Sequence, residues 1–256
     1  MQGIGTPNQK EYAEVHQSIA PVFAMRLSII IPAFNEVATI ETVLRRIAAN
    51  PVAGWEFEVI VVDDTSTDGS IEILRRNPDL YDILVERERN GGKGAAVRDG
   101  LRKATGDYVL FQDADLEYDP AQYGALLTPV DGQNADVVIG SRFLAPAYVR
   151  VHYFWHLVGN KFLTLIFNLL YNLTFTDIYS CYLLYRRNLI DPAQLRSDGW
   201  EQHAEILCNA ARRGDRLYEV PISYAGRTYD EGKKIRFWHA LPVLWMIVSR
   251  RFSSSG

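Results

Sequence analysis

Three carboxylates stand at alternate positions in Phe111-Gln112-Asp113-Ala114-Asp115-Leu116-Glu117, directly after the apolar run Tyr108-Val109-Leu110-Phe111. In extended backbone, alternate residues share one face. Acids pointing the same way repel one another unless a cation or a set of donors neutralises them. An all-oxygen cluster suits Mg²⁺ or Mn²⁺, and those ions suit phosphate. Asp113, Asp115 and Glu117 are therefore candidate metal ligands beside a phosphate-bearing substrate. A solvated acidic loop would carry the same short pattern, so its neighbours decide between the two.

The elements that must position this loop are legible around it. Residues 27–31, stopped by Pro32, form a β-branched run, and residues 58–62 form another that ends in Asp63-Asp64. Residues 83–85, 108–112 and 137–140 complete a set of five short apolar runs that predict buried strands. Ile40, Val43, Leu44 and Ile47 recur at helical spacing within residues 38–49. Shorter helices are expected over residues 71–76 and from Gly91-Gly92-Lys93-Gly94 to about Lys103. Strands alternating with helices, each strand nearly all apolar, predict an α/β fold with a mainly parallel sheet covered on both faces. Such sheets bind ligands at the carboxyl ends of their strands. Residues 32–36, Asp63-Asp64, residues 91–94 and the acidic loop all fall at that edge. Lys93 between two glycines at a helix start suits an anion, although a plain glycine turn has the same composition.

The chain has 256 residues, 48% hydrophobic and 23% charged, with a formal net charge of −4. That composition predicts one large domain and argues against nucleic acid as a partner. Cys181 and Cys208 show no paired spacing, which predicts two buried thiols in a reducing compartment. Residues 1–25 read as a polar extension without the apolar centre of a signal peptide. No stretch reaches the roughly 18–20 apolar residues that span a bilayer. Two segments nevertheless read as amphipathic helices for the core or a membrane surface: residues 151–173, and the basic-flanked segment within residues 236–256. The expectation is a cytoplasmic protein, peripheral at a membrane, with a membrane-protein partner or a homo-oligomer left open.

Taken in order, Ile29-Ile30-Ile31-Pro32-Ala33-Phe34-Asn35-Glu36, Val61-Val62-Asp63-Asp64-Thr65-Ser66-Thr67-Asp68-Gly69, Asn90-Gly91-Gly92-Lys93-Gly94, Asp113-Ala114-Asp115 and Gly140-Ser141-Arg142 resemble family 2 glycosyltransferases with the GT-A (Rossmann-like) fold. The branch they are most similar to is that of the polyprenyl-phosphate (dolichyl-phosphate) mannose and glucose synthases. The resemblance spans about residues 26–235 and implies a catalytic domain of that extent.

The resemblance implies an inverting, metal-dependent transfer of a hexose from a nucleotide sugar of the GDP-mannose or UDP-glucose type. Pro32, Ala33, Phe34, Glu36, Asp63, Asp64 and Lys93 would form the nucleotide pocket. Asp68 is expected to cap the following helix. Asp113 would serve the ribose or the metal, Asp115 the metal, and Glu117 the rest of its shell. Arg142 and Arg227 match arginines that hold the acceptor phosphate, and Lys233 and Lys234 follow in a loop able to close over the diphosphate. Where that branch carries an arginine and a serine in its acceptor helix, His156 and Asn160 stand here. A rival expectation is transfer to a hydroxyl of a lipid or glycan, with Glu205 as base. A third is a nucleotide-sugar-binding subunit without turnover.

Overall fold

The structure, a computed structural model, describes residues 24–144, 154–226 and 240–253. A seven-stranded sheet runs in the order β3-β2-β1-β4-β6-β5-β7. Its strands are β1 (Met25–Ala33), β2 (Trp55–Asp63), β3 (Ile83–Glu86), β4 (Tyr108–Phe111), β5 (Val137–Ser141), β6 (Leu183–Arg186) and β7 (Leu217–Pro221). β6 alone runs against its neighbours, pairing antiparallel with both β4 and β5, while every other pairing is parallel. The helices are α1 (Ile40–Ala49), α2 (Ser70–Arg76), α3 (Lys93–Lys103), α4 (Tyr123–Gln133), α5 (Phe154–Tyr171), α6 (Glu201–Arg213) and α7 (Ala240–Phe252).

The five strands expected from composition are present, and β1 begins at Met25. Two strands and one helix were not anticipated. β6 lies inside a longer apolar stretch, and β7 is a short, half-buried edge strand. α4 is punctuated by Gly124, Pro129 and Gly132, which hide its periodicity.

The central strands β1, β2, β4 and β5 are buried almost end to end, as a sheet covered on both faces requires. Ala33 pairs with Asp63, and the Asp64 amide donates to the Ala33 carbonyl at 2.8 Å. The loops after β1 and β2 therefore leave the sheet together. They are tied further by Asp68, whose carboxylate accepts the amides of Val37 and Ser70. The N-cap of α2 is Gly69, so Asp68 braces the start of the helix from one residue before it and is not the capping residue that was expected.

α5 and α7 pack on one another and on α6. Val243 and Ile247 are buried, the Tyr171 hydroxyl donates to the Ile247 carbonyl at 3.2 Å, and Arg212 donates to the Arg250 carbonyl at 2.7 Å. Their opposite faces are bare. Phe154, Trp155, Val158, Phe162, Leu165 and Leu169 on α5 and Leu241, Trp245 and Phe252 on α7 are exposed, Trp155 to 78% and Trp245 to 71%. No helix among the described residues is long and apolar enough to cross a membrane.

Candidate active site

Two cavities open at the carboxyl edge of the sheet. The first, about 300 Å³, is lined by Pro32, Ala33, Phe34, Glu36, Asp64, Asn90, Gly92, Lys93, Asp113, Asp115 and Glu117, among others. The second, about 250 Å³, runs from Lys93 and Asp113 past Arg142, His156 and Asn160 to Trp155 on α5 and Val243 on α7. Lys93, Asp113, Glu117, Trp200 and Tyr224 line both, so the cavities share a wall.

That wall is electrostatically organised. Lys93 Nζ sits 2.5 Å from Asp113 Oδ1 and lies over the Trp200 ring, 5.2 Å from its centroid. Burial on its own would lower the Lys93 pKa, but the Asp113 carboxylate holds it above the ordinary lysine value. Burial likewise pushes the Asp113 carboxyl up, and Lys93 more than reverses this, leaving it below the ordinary aspartate value. Lys93 therefore points into the site rather than to solvent.

The glycines beside Lys93 have a more specific reason than approach to a ligand. A Cβ on Gly92 would meet the Asp198 carbonyl oxygen at 2.8 Å, and one on Gly94 would meet the Ser197 carbonyl oxygen at 2.6 Å. The Gly94 amide donates to Asp198 O at 2.8 Å. The glycine turn is thus locked against residues 197–198, the segment leading into α6.

Asp64 secures the same turn. It accepts the amides of Gly91 (3.0 Å) and Gly92 (2.8 Å) and pairs with Arg87. Asp63 is buried behind it and does not line either cavity. Its Oδ2 accepts the Ser66 amide at 3.0 Å, while Oδ1 is buried without a partner. Thr65 adopts φ +67°, the left-handed region that glycine enters most easily. Glu36 lines the first cavity, and its Oε2 accepts the Thr39 hydroxyl at 3.1 Å.

The acidic loop is not a ready-made cation cage. Among the described residues no three His, Cys, Asp or Glu side chains converge on a metal-sized point. Asp113 is paired with Lys93, and Glu117 accepts the Tyr224 hydroxyl at 2.6 Å. Asp115 lines the first cavity and accepts the Glu117 amide at 3.1 Å, across Leu116 at φ +63°. Rotation of Leu116 into the left-handed region breaks the extended backbone on which the alternating acids would share a face.

Arg142 is fixed. Its Nε and Nη2 grip Asp177 at 2.7 and 2.9 Å, Nη2 also reaches the Tyr179 carbonyl at 3.1 Å, and the guanidinium stacks on Tyr224 at 5.0 Å. Asp177 also receives Asn160 Nδ2 at 3.2 Å, so Asn160 helps to hold the arginine. Arg227, Lys233 and Lys234 lie outside the described residues.

Glu205 is placed differently from expectation. Its carboxylate is fully buried, accepts the amides of Arg196 and Ser197 at 2.9 to 3.1 Å, and pairs with Arg250 of α7. It lines neither cavity. A base facing an acceptor hydroxyl needs an accessible lone pair, and these oxygens are taken up by structural donors. The residues of α6 that do reach the second cavity are Gln202 and His203. Burial first, and then the charge of Lys93, lowers the His203 pKa to about 4, which keeps the ring neutral.

Comparison with known proteins is decisive for the family. The profile described as glycosyl transferase family 2 matches residues 28–192. The chain belongs to this family. It is similar to the dolichol-phosphate mannosyltransferase of Pyrococcus furiosus, with 28% identity over 82% of this chain and 59% of the relative. It is also similar to the undecaprenyl-phosphate 4-deoxy-4-formamido-L-arabinose transferase of Edwardsiella ictaluri, with 30% identity over 81% of this chain and 62% of the relative. The chain thus spans about three-fifths of the length of these relatives. Among solved structures, glucosyl-3-phosphoglycerate synthase of Mycobacterium tuberculosis with Mn²⁺, UDP-glucose and phosphoglyceric acid aligns at TM-score 0.66 and 24% identity, over 90% of this chain and 81% of that one. TarS of S. aureus aligns at TM-score 0.57 and 21% identity, over 89% and 72%. Both agree with the GT-A architecture of the sheet.

Trp200, Tyr224 and Tyr179 belong to the site and were not singled out by motif. Their signal is tertiary, because each stands in a loop whose sequence does not say which cavity it faces.

Proposed function

We propose that this glycosyltransferase moves a hexose from a nucleotide sugar to a polyprenyl phosphate at a membrane surface. The observation that carries the reading is the shared wall. A cavity whose lining includes acids and the glycine turn meets a second one that reaches the aromatic residues of α5 and Val243 of α7, and Lys93, Asp113, Glu117, Trp200 and Tyr224 line both.

The nucleotide would occupy the first cavity, with Phe34 as an apolar wall and Glu36 and Asp64 on its lining. The diphosphate would lie at Lys93 and the acidic loop. The all-oxygen donors of Asp115 and Glu117 suit Mg²⁺ or Mn²⁺, whose remaining ligands would come from the diphosphate itself. Such an ion supplies charge neutralisation for the departing nucleotide. Both relatives' names concern lipid phosphates, and one solved neighbour holds Mn²⁺ with UDP-glucose.

A lipid phosphate needs cations rather than a base. Arg142, held rigid by Asp177 and stacked on Tyr224, lines the second cavity and loses little freedom on binding. Arg227 and Lys234 are proposed to add to this charge. A single in-line displacement inverts the anomeric centre. The bare faces of α5 and α7 would lie in the headgroup layer, with Arg251 at the end of α7.

A radiolabelled transfer assay tests the reading. Label from GDP-mannose or UDP-glucose should enter the organic phase with a polyprenyl phosphate and Mn²⁺ or Mg²⁺, and not with the corresponding polyprenol. Transfer to the polyprenol at an equal rate would remove the phosphate from the account.

A further inference from the structure

Glu219 is an acid on β7, the half-buried edge strand of the sheet. An acid on an edge strand commonly does no more than discourage pairing with another chain. Glu219 instead turns its carboxylate onto two consecutive backbone amides. Thr176 N donates to its Oε1 and Oε2 at 2.8 and 2.9 Å, and Asp177 N donates to Oε1 at 3.1 Å. Hydrogen bonds to an ionised acceptor are the strong kind. Burial raises the Glu219 pKa and the two amides work against that rise, so the carboxylate and the amides hold one another in place.

The two residues held in this way are the ones that frame Arg142. The Thr176 hydroxyl lies 2.6 Å from that of Ser141, the residue before the arginine. The fully buried Asp177 accepts the Arg142 amide at 3.1 Å and grips the guanidinium through Nε and Nη2. β7 pairs with β5, Glu219 beside Ile139 and Pro221 beside Ser141. Strand, loop and arginine are thus cross-braced. Glu219 lines neither cavity, whereas Arg142 lines the second. Without an acceptor at position 219, two backbone N–H groups lose their partner and the loop must shift to find another.

We propose that Glu219 is a positioning residue for the acceptor phosphate: it fixes the backbone of Thr176 and Asp177, and through Asp177 it sets the Arg142 guanidinium in the wall of the second cavity. This rests on the reading of that cavity as the acceptor site. Glu219 itself touches neither substrate.

The test separates hydrogen bonding from charge. Glu219→Gln removes the charge and keeps an oxygen for the two amides, and Glu219→Leu removes both. With a polyprenyl phosphate as acceptor, Glu219→Leu should lower kcat/KM for the acceptor by about 10- to 100-fold, since misplacing a binding group by an ångström can cost that much. The donor KM should stay within about twofold of wild type, and Glu219→Gln should restore most of the acceptor loss. In an Arg142→Ala background the leucine substitution should add less than about twofold, because its effect runs through the arginine. A purely structural role would lower Tm and leave the two losses additive. An equal loss in both backgrounds, a donor KM raised as much as that of the acceptor, or Glu219→Gln as damaging as Glu219→Leu overturns the proposal. If Glu219→Leu does not fold, Glu219→Asp, which withdraws the carboxylate by one methylene, should show a smaller acceptor-selective loss, and wild-type kinetics in that variant overturn the proposal too. If wild type transfers no label, or Arg142→Ala leaves the acceptor KM unchanged, the acceptor reading fails separately. The positioning is then read by NMR from the Arg142 Nε–H signal, assigned by its absence in Arg142→Ala. Its exchange with water should be slow in wild type and Glu219→Gln and at least about tenfold faster in Glu219→Leu, or in Glu219→Asp if only that variant folds. Equal exchange in all of them refutes the proposal.

Discussion

Glu205→Gln separates a structural carboxylate from a catalytic one. In the structure Glu205 is fully buried and gathers two backbone amides and the Arg250 guanidinium. Glutamine keeps one oxygen acceptor but turns a nitrogen donor toward donors and removes the charge that Arg250 faces. Breaking a buried ion pair by changing one partner costs about 3–5 kcal/mol. Arg250 is 21% exposed and is partly rehydrated, so about 2–4 kcal/mol is expected here. In a domain of this size that lowers Tm by roughly 5–15 °C. The 197–198 segment anchored by Glu205 packs on Gly92 and Gly94, so the donor KM should rise a few-fold while kcat, measured well below the variant's Tm, stays within about threefold. A general base would behave oppositely, with about 10²- to 10⁴-fold lost in kcat. Thermal melting and steady-state transfer on the same preparation decide. An unchanged Tm with kcat reduced more than about 100-fold would refute the structural reasoning and restore Glu205 as base.

Other outcomes follow from the same geometry. Asp115→Asn should abolish the stimulation of transfer by Mn²⁺ and lower the rate by roughly 10²-fold or more, while nucleotide binding without metal changes little. A metal titration of both proteins reads this out. His203 is held neutral with its pKa lowered to about 4, so the unfolded chain binds a proton that the folded chain refuses between about pH 6.5 and 4. Stability should therefore fall as pH drops through that window, by up to about 3 kcal/mol, and His203→Gln should flatten the slope in urea melts. Trp155→Ser with Trp245→Ser should weaken binding to anionic lipid vesicles by about tenfold or more with an unchanged Tm, since both rings are solvent-exposed. Sedimentation with vesicles measures it.

Much of the sheet could be read from the chain because β1, β2, β4 and β5 are continuous apolar runs that end in conspicuous residues. Asp63-Asp64, Lys93 and the acidic loop all lie at the edge where parallel sheets bind ligands. What escaped depends on tertiary partners. β6 is antiparallel, and nothing in Leu183-Leu184-Tyr185 states its direction. The alternating acids did not reveal that Leu116 would turn into the left-handed region, or that Lys93 and Tyr224 would engage Asp113 and Glu117. Glu205 was expected as a base because its position resembles that of the acidic base in family 2 enzymes that glycosylate hydroxyls. Its real partners are the amides of Arg196 and Ser197 and the guanidinium of Arg250, 45 positions away. The glycines of the Lys93 turn were read for ligand approach, whereas they admit the backbone of residues 197–198.

The central claim is that donor and lipid acceptor meet from opposite sides of the wall formed by Lys93, Asp113 and Trp200. Photocrosslinking with a polyprenyl phosphate carrying a diazirine near its phosphate, in the presence of UDP or GDP and Mn²⁺, addresses it directly. The account predicts label on peptides containing residues 155–163 of α5 and 240–243 of α7, protected by unlabelled polyprenyl phosphate. Label concentrated instead on residues 32–36 and 90–93, and displaced by nucleotide, would contradict it.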